Sequence, residues 1–167
     1  MAEAWDRWVL RAVAKYEQPL LKFATSLVGA PHAPDVVQDT FLQLCKQDRN
    51  KVEGHLAAWL FTVTRNRAMD IARKLGRAES LPEGDNVPSP DSGPQAKAER
   101  HQTLTRLQRL VDELPERERE AVLLKFSGGL SYQEIADTMQ LSVSHVGVIL
   151  HTAMKTIRAE LAEGGAR

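Results

Sequence analysis

The 167-residue chain has a single cysteine, Cys45, so no intramolecular disulfide can staple its fold. It has no excess of either charge: Lys+Arg and Asp+Glu number 22 each, for a formal net charge of zero. Proteins that grip nucleic acid unaided are usually basic, so this balance speaks against autonomous DNA binding. No apolar run approaches the roughly 18 residues of a membrane span. The opening MAEAWDRW lacks the basic and apolar regions of a secretory signal. A reducing cytoplasm is therefore the expected location, with no membrane insertion. Alternating β-branched runs are missing, which argues against a strand-rich fold. HExxH, Walker-loop and GxSxG patterns do not occur. His32 stands near Asp35 and Asp39, but no closed ligand set accompanies it. The expectation is a protein that is not an enzyme and has no metal or cofactor. Cys45 reads as a small hydrophobe at a core-compatible position.

What is present is a soluble composition, 43% apolar and 26% charged. Residues 76–98, GRAESLPEGDNVPSPDSGPQAKA, hold four of the eight prolines and few large apolar side chains, the composition of a linker. They carry 2 basic and 4 acidic groups, while residues 1–75 carry 11 and 8 and residues 99–167 carry 9 and 10. The expected architecture is all-α, with two small helical domains, 1–75 and 99–167, joined by a flexible acidic linker, 76–98.

In the first unit Trp5, Trp8, Val9, Ala12, Tyr16, Leu20, Phe23 and Leu27 recur at helical spacing, with Pro19 expected to kink or split the helix. Gly29-Ala30-Pro31 ends it, and Pro34 suits the first turn of a second helix reaching about Lys46. Residues 47–55 read as a polar loop. A third helix spans about 56–75, with Leu60, Phe61, Thr64, Ala68, Ile71, Ala72 and Leu75 on its core face. Its opposite side carries Arg65, Asn66, Arg67, Arg73, Lys74 and Arg77 with Asp70 and Trp59, a set suited to phosphate contacts and some base reading, or to a solvated surface. On the second helix Asp35, Gln38 and Asp39 share a stripe that fits a basic partner surface or simple helix-start electrostatics.

In the second unit one helix is marked by Leu104, Leu107, Leu110, Val111 and Leu114, and another starts after Pro115, with Glu116, Glu118 and Glu120 near its positive end. Then comes LSYQEIADTMQLSVSHVGVILHT, residues 130–152. Ser131 with Glu134 forms a capping box, and Ser142 is a second N-cap candidate after a tight break at Gln140-Leu141. Two short capped helices outline a helix-turn-helix, or a plain helical hairpin. On the second helix Val143, Val146, Leu150, Ala153, Ile157 and Leu161 form the expected buried stripe. Ser144, Gly147, Val148, His151, Thr152 and Lys155 project away from it, with His145 at the edge. No Lys or Arg lies between Ser142 and Met154, although phosphate attraction normally dominates DNA affinity.

Three stretches resemble the extracytoplasmic function group of bacterial sigma factors, in the sigma-70 family: DVVQDTFLQL (35–44), AWLFTVTRNRAMDIARK (58–74) and LPEREREAVLLKFSGGLSYQEIADTMQLSVSHV (114–146). Their order and the short linker match that group, which keeps regions two and four. The resemblance implies a promoter-specificity subunit that binds core RNA polymerase and promoter DNA. It implies docking on the coiled coil of the largest subunit through Asp35, Gln38, Asp39 and Phe41. It implies minus-ten recognition, with an extruded base, through Asn50, Lys51, His55, Arg65, Asn66 and Arg73. It further implies a linker threading toward the polymerase active centre, contact of region four with the flap of the second-largest subunit, and an anti-sigma factor as a regulatory partner. Minus-thirty-five recognition falls to Ser144, His145, Val148, His151, Thr152 and Lys155. Many members carry a basic run on that helix where this chain has Val146-Gly147-Val148-Ile149, which implies an unusual minus-thirty-five sequence. Two modest DNA contacts on one complex gain from effective concentration, so the second helix need not hold DNA alone. Two other classes fit parts of the sequence. An operator-binding helix-turn-helix regulator would bind DNA without polymerase; a decoy for polymerase or anti-sigma factor would bind without initiating.

Overall fold

A computed structural model describes residues 2–76 and 95–165, with side chains described from Ala4 to Gly76 and from Gln102 to Gly164. Most of the expected linker, 77–94, lies outside the described residues, as do its acidic groups and Arg77. Helix α1 (Ala2–Val28) runs unbroken through Pro19. A helix-interior proline costs about 3 kcal/mol, while Leu20, Phe23 and Ala24, all 0% exposed, follow it directly. Each large apolar side chain buried is worth about 1.5–3 kcal/mol, so packing outweighs the local penalty. Gly29 then adopts φ 84°, a left-handed turn that L-residues avoid, and the chain reverses into α2 (Ala33–Cys45).

The expected loop at 47–55 is instead a short helix, α3 (Arg49–Val52), followed by a 3-10 turn at Glu53–His55. Asp48 Oδ1 accepts the Asn50 N–H at 3.1 Å, and Val52, 3% exposed, pins the segment to the core. Helix α4 (Leu56–Gly76) completes the first unit. Phe23 and Phe61 meet edge to face at 5.4 Å, and the buried hydroxyls of Thr40 and Thr64 share a hydrogen bond at 2.9 Å. Trp59, read as surface, is half-buried against this core. Cys45 is exposed, because Leu44 takes the buried position one residue earlier.

Helix α5 (Gln95–Asp112) begins within the stretch read as linker. Helix α6 (Glu116–Val122) continues through a π-helical turn at Leu123–Ser127 into α7 (Tyr132–Met139) and α8 (Val143–Gly165). The capping box is formed: Glu134 N–H donates to Ser131 Oγ at 3.1 Å, and Ser131 N–H to Glu134 Oε1 at 2.9 Å. Gln140 takes a left-handed φ of 58° at the break, and Ser142 Oγ accepts the His145 N–H at 3.1 Å. The core stripe of α8 is Val146, Ile149, Leu150, Ala153 and Ile157, whereas Val143, expected inside, is 40% exposed. Leu161 is half-buried. No helix among the described residues is long and apolar enough to cross a membrane.

Candidate functional site

The expected contact residues fall on three surfaces. On α2, Asp35 and Gln38 are exposed, and Asp39 is half-buried and paired with Arg67 of α4 at 2.9 Å. Phe41 is half-buried and packs against the core, while Leu42 beside the stripe is 53% exposed, so the exposed face combines Asp35 and Gln38 with one apolar side chain.

The second surface follows α3 and α4. Asn50 and Lys51 sit on the capped α3 turn and His55 at the end of the 3-10 turn, all exposed. Asn66, Arg67 and Arg73 follow along α4, also exposed. At about 1.5 Å per residue, Arg73 lies some 25 Å along the helix from the His55 end, so these residues form a track rather than one pocket. Arg73 pairs with Asp70 within the helix. Near its start the track borders a cleft of ≈390 Å³ lined by Trp8, Arg11, Lys15, Tyr16, Glu53 and His55, and closed on one side by Glu134 of α7. Those α1 residues were missed, because helical spacing assigns Trp8 and Tyr16 to the core and marks Arg11 and Lys15 as ordinary surface cations. The guanidinium of Arg49 also stands 5.4 Å from the Trp8 ring centroid.

Arg65 is the exception on this track. Expected on the solvent side, it is 19% exposed and holds Glu120 of α6, itself 3% exposed. Burial raises the Glu120 carboxyl above the ordinary carboxylate range, against the lowering effect of the Arg65 hydrogen bond and charge. Around this pair, among the described residues, further contacts join the two units. The Thr62 and Thr138 hydroxyls share a hydrogen bond at 2.8 Å, and Arg119 donates to the Ser26 carbonyl at 3.2 Å. Gly128 lies against Phe61, whose Cε2 would be 3.0 Å from any Cβ built there. Glu120 was read as helix-start electrostatics; its place just before the apolar run AVLL was the available signal.

The third surface is the outer face of α8. Ser144, His145, Val148, His151, Thr152 and Lys155 are all exposed there, and Gly147 is half-buried. Among the described residues no cluster of three or more His, Cys, Asp or Glu is arranged to hold a metal ion. The three surfaces offer cations, amides, hydroxyls and imidazoles on rigid helices, which is the chemistry of binding.

The family model for sigma-70 region 2 matches residues 12–78, and that for sigma-70 region 4 matches residues 104–157. The chain is similar to the extracytoplasmic function RNA polymerase sigma factor SigE of Mycolicibacterium smegmatis, 32% identical over 164 residues. That match covers 96% of this chain and 62% of SigE, so the chain spans less than two thirds of that relative. It is also similar to the extracytoplasmic function sigma factor EcfG of Rhodopseudomonas palustris strain TIE-1, 32% identical over 149 residues, covering 88% of this chain and 81% of EcfG. Among solved structures, CnrH in complex with the cytosolic domain of CnrY superposes with a TM-score of 0.60 at 26% identity, covering 97% of this chain and 94% of CnrH.

Proposed function

Since the chain belongs to the sigma-70 family, in its extracytoplasmic function group, we propose that it is a promoter-specificity subunit of bacterial RNA polymerase. It joins core polymerase, directs initiation at a defined set of promoters, and works in the cytoplasm by binding, with no catalytic step of its own. The observation that carries this reading is the order of parts: a unit of four helices, α1 to α4, with a cationic track, then a doubly capped helix-turn-helix, each coinciding with its own family region.

In this reading residues 1–75 are region two, 76–98 the linker and 99–167 region four. Asp35, Gln38, Asp39 and Phe41 face the largest-subunit coiled coil. Asn50, Lys51, His55, Arg65, Asn66 and Arg73 serve the minus-ten element, where a single strand is held by charge along its backbone and a pocket for a base. The exposed residues of α8 serve the minus-thirty-five duplex, and the second unit meets the flap of the second-largest subunit. An anti-sigma factor is the regulatory partner in this reading, and the similar CnrH was solved in complex with another protein, the cytosolic domain of CnrY. Arg65 cannot serve an extruded base while it holds Glu120. Minus-ten engagement therefore goes with separation of the two units.

The test is run-off transcription with bacterial core polymerase on a genomic fragment library. Discrete start sites that require the protein support the reading. Co-elution with core and no initiation would replace it with the decoy, and DNA binding without polymerase would replace it with an operator-binding regulator.

A further inference from the structure

The outer face of α8 has a definite chemistry even without cations. Ser144, Val148, His151 and Lys155 recur at i, i+4, i+7 and i+11, so they stand in one stripe along the helix, all exposed. Val148 is 63% exposed in the middle of it. A lone exposed valine is ordinary, but this one stands on the outward stripe of α8, one turn after the Ser144 hydroxyl. Val143, 40% exposed, and Gly147, where a Cβ would lie 3.8 Å from Tyr132 Cε2 of α7, stand about 100–140° round the helix from it. The outer face of the first turns of α8 thus presents the Val148 methyls with one hydroxyl beside them.

In a helix-turn-helix these first turns are the part that reaches base edges in the major groove. Guanine is usually read there by a bidentate Arg or Lys, and adenine by a bidentate Asn or Gln. None of these residue types occurs from Ser142 to Met154. The apolar group that the major groove offers is the thymine 5-methyl. We infer that this chain reads its upstream promoter element through thymine methyl groups, with Val148 as the specificity-determining residue. Ser144 meets the neighbouring base edge, and Lys155, two turns further on, meets a phosphate. This inference rests on the proposed role of α8 at the promoter, and names what that surface recognises.

The experiment uses holoenzyme assembled from core polymerase and the full chain, on a promoter recovered from the fragment library. Two templates differ only in the upstream element, which carries either thymine or uracil, the base lacking the methyl. At subsaturating holoenzyme, uracil is expected to lower initiation roughly fourfold, the loss for one buried methyl group. Val148→Ala is expected to lower initiation on the thymine template by a similar factor and to abolish the thymine-to-uracil difference. Val148→Thr keeps a methyl at the same place and should retain much of that difference. Equal initiation on both templates by the unaltered protein overturns the inference, and so does a difference that survives Val148→Ala. Failure of the fragment library to yield any promoter that requires the protein would instead overturn the proposed sigma function, and this inference with it.

Discussion

Glu120 takes a carboxylate into a contact where it is 3% exposed, with Arg65 as its hydrogen-bonded partner. Desolvation can exceed the Coulombic gain of such a pair, yet removing one member leaves the other charge buried and uncompensated. Arg65→Ala is therefore expected to weaken the contact between the units by about 3–5 kcal/mol at neutral pH. Glu120→Gln keeps an acceptor for Arg65 without a charge to desolvate, and should leave the contact closed. Amide hydrogen exchange in α4 and α6 reads both variants, and equal loss of protection would defeat the argument. The raised carboxyl value sets the pH dependence: the closed contact binds the proton more tightly than the open chain. Its contribution is full below the ordinary glutamate value and declines as pH rises through the raised one. The groups acting on Glu120 besides Arg65 are Glu116, which raises its value, and Arg117, which lowers it. Glu120→Gln should flatten the decline. Gly128 is constrained by space, since a Cβ there would lie 2.8 Å from the Leu124 carbonyl oxygen and 2.9 Å from Leu130 Cδ1. Gly128→Ala is expected to cost about 1–3 kcal/mol through overpacking, read as a lower urea midpoint.

At the scale of elements, α7 is short, eight residues, and isolated helices of that length are marginal in water. Its capping box satisfies free amides at the helix start, and Ile135, Ala136 and Met139 are buried behind it. Ser131→Ala is expected to cost about 1 kcal/mol, seen as a lower thermal midpoint; an unchanged midpoint would mean that packing alone holds the helix. The cap, the turn and the following helix were legible in the sequence because each depends on residues within four positions of one another. Pro19 and residues 47–55 depart from their local signals for a related reason. There the deciding term is the burial of Leu20, Phe23 and Val52 against distant helices, and local propensity points the other way.

At the scale of the molecule, the two units are closed on each other through Thr62–Thr138, Arg65–Glu120, Arg119–Ser26 and Phe61–Gly128. Of the track proposed for the minus-ten element, the closed form covers Arg65, so under that proposal a promoter-bound form would compete with the closed form for this residue. The Thr62 and Thr138 hydroxyl oxygens are 2.8 Å apart, which makes the pair a natural place for a reversible crosslink. In a Cys45→Ser background, Thr62→Cys with Thr138→Cys is expected to form a disulfide under oxidation and to lose run-off activity. Reduction should restore that activity. Full activity of the oxidised, crosslinked protein would show that the units need not separate.

Legible in the residues alone were the all-α class, the larger helices of both units, the helix-turn-helix and the family resemblance. All of these rest on short-range spacing, capping and residue order. The exposed stripe of α8 was legible too, because helical periodicity alone separates Val146 and Leu150 from Val148 and His151. Long-range packing set the rest: Arg65 is covered, Glu120 is its partner, Trp8 and Tyr16 share a cleft with His55, and Val143 and Cys45 face outward. Periodicity says which side chains share a face. Which faces are covered depends on how the second unit folds back on the first, and that is fixed by contacts such as Arg65–Glu120, between residues 55 positions apart in the chain.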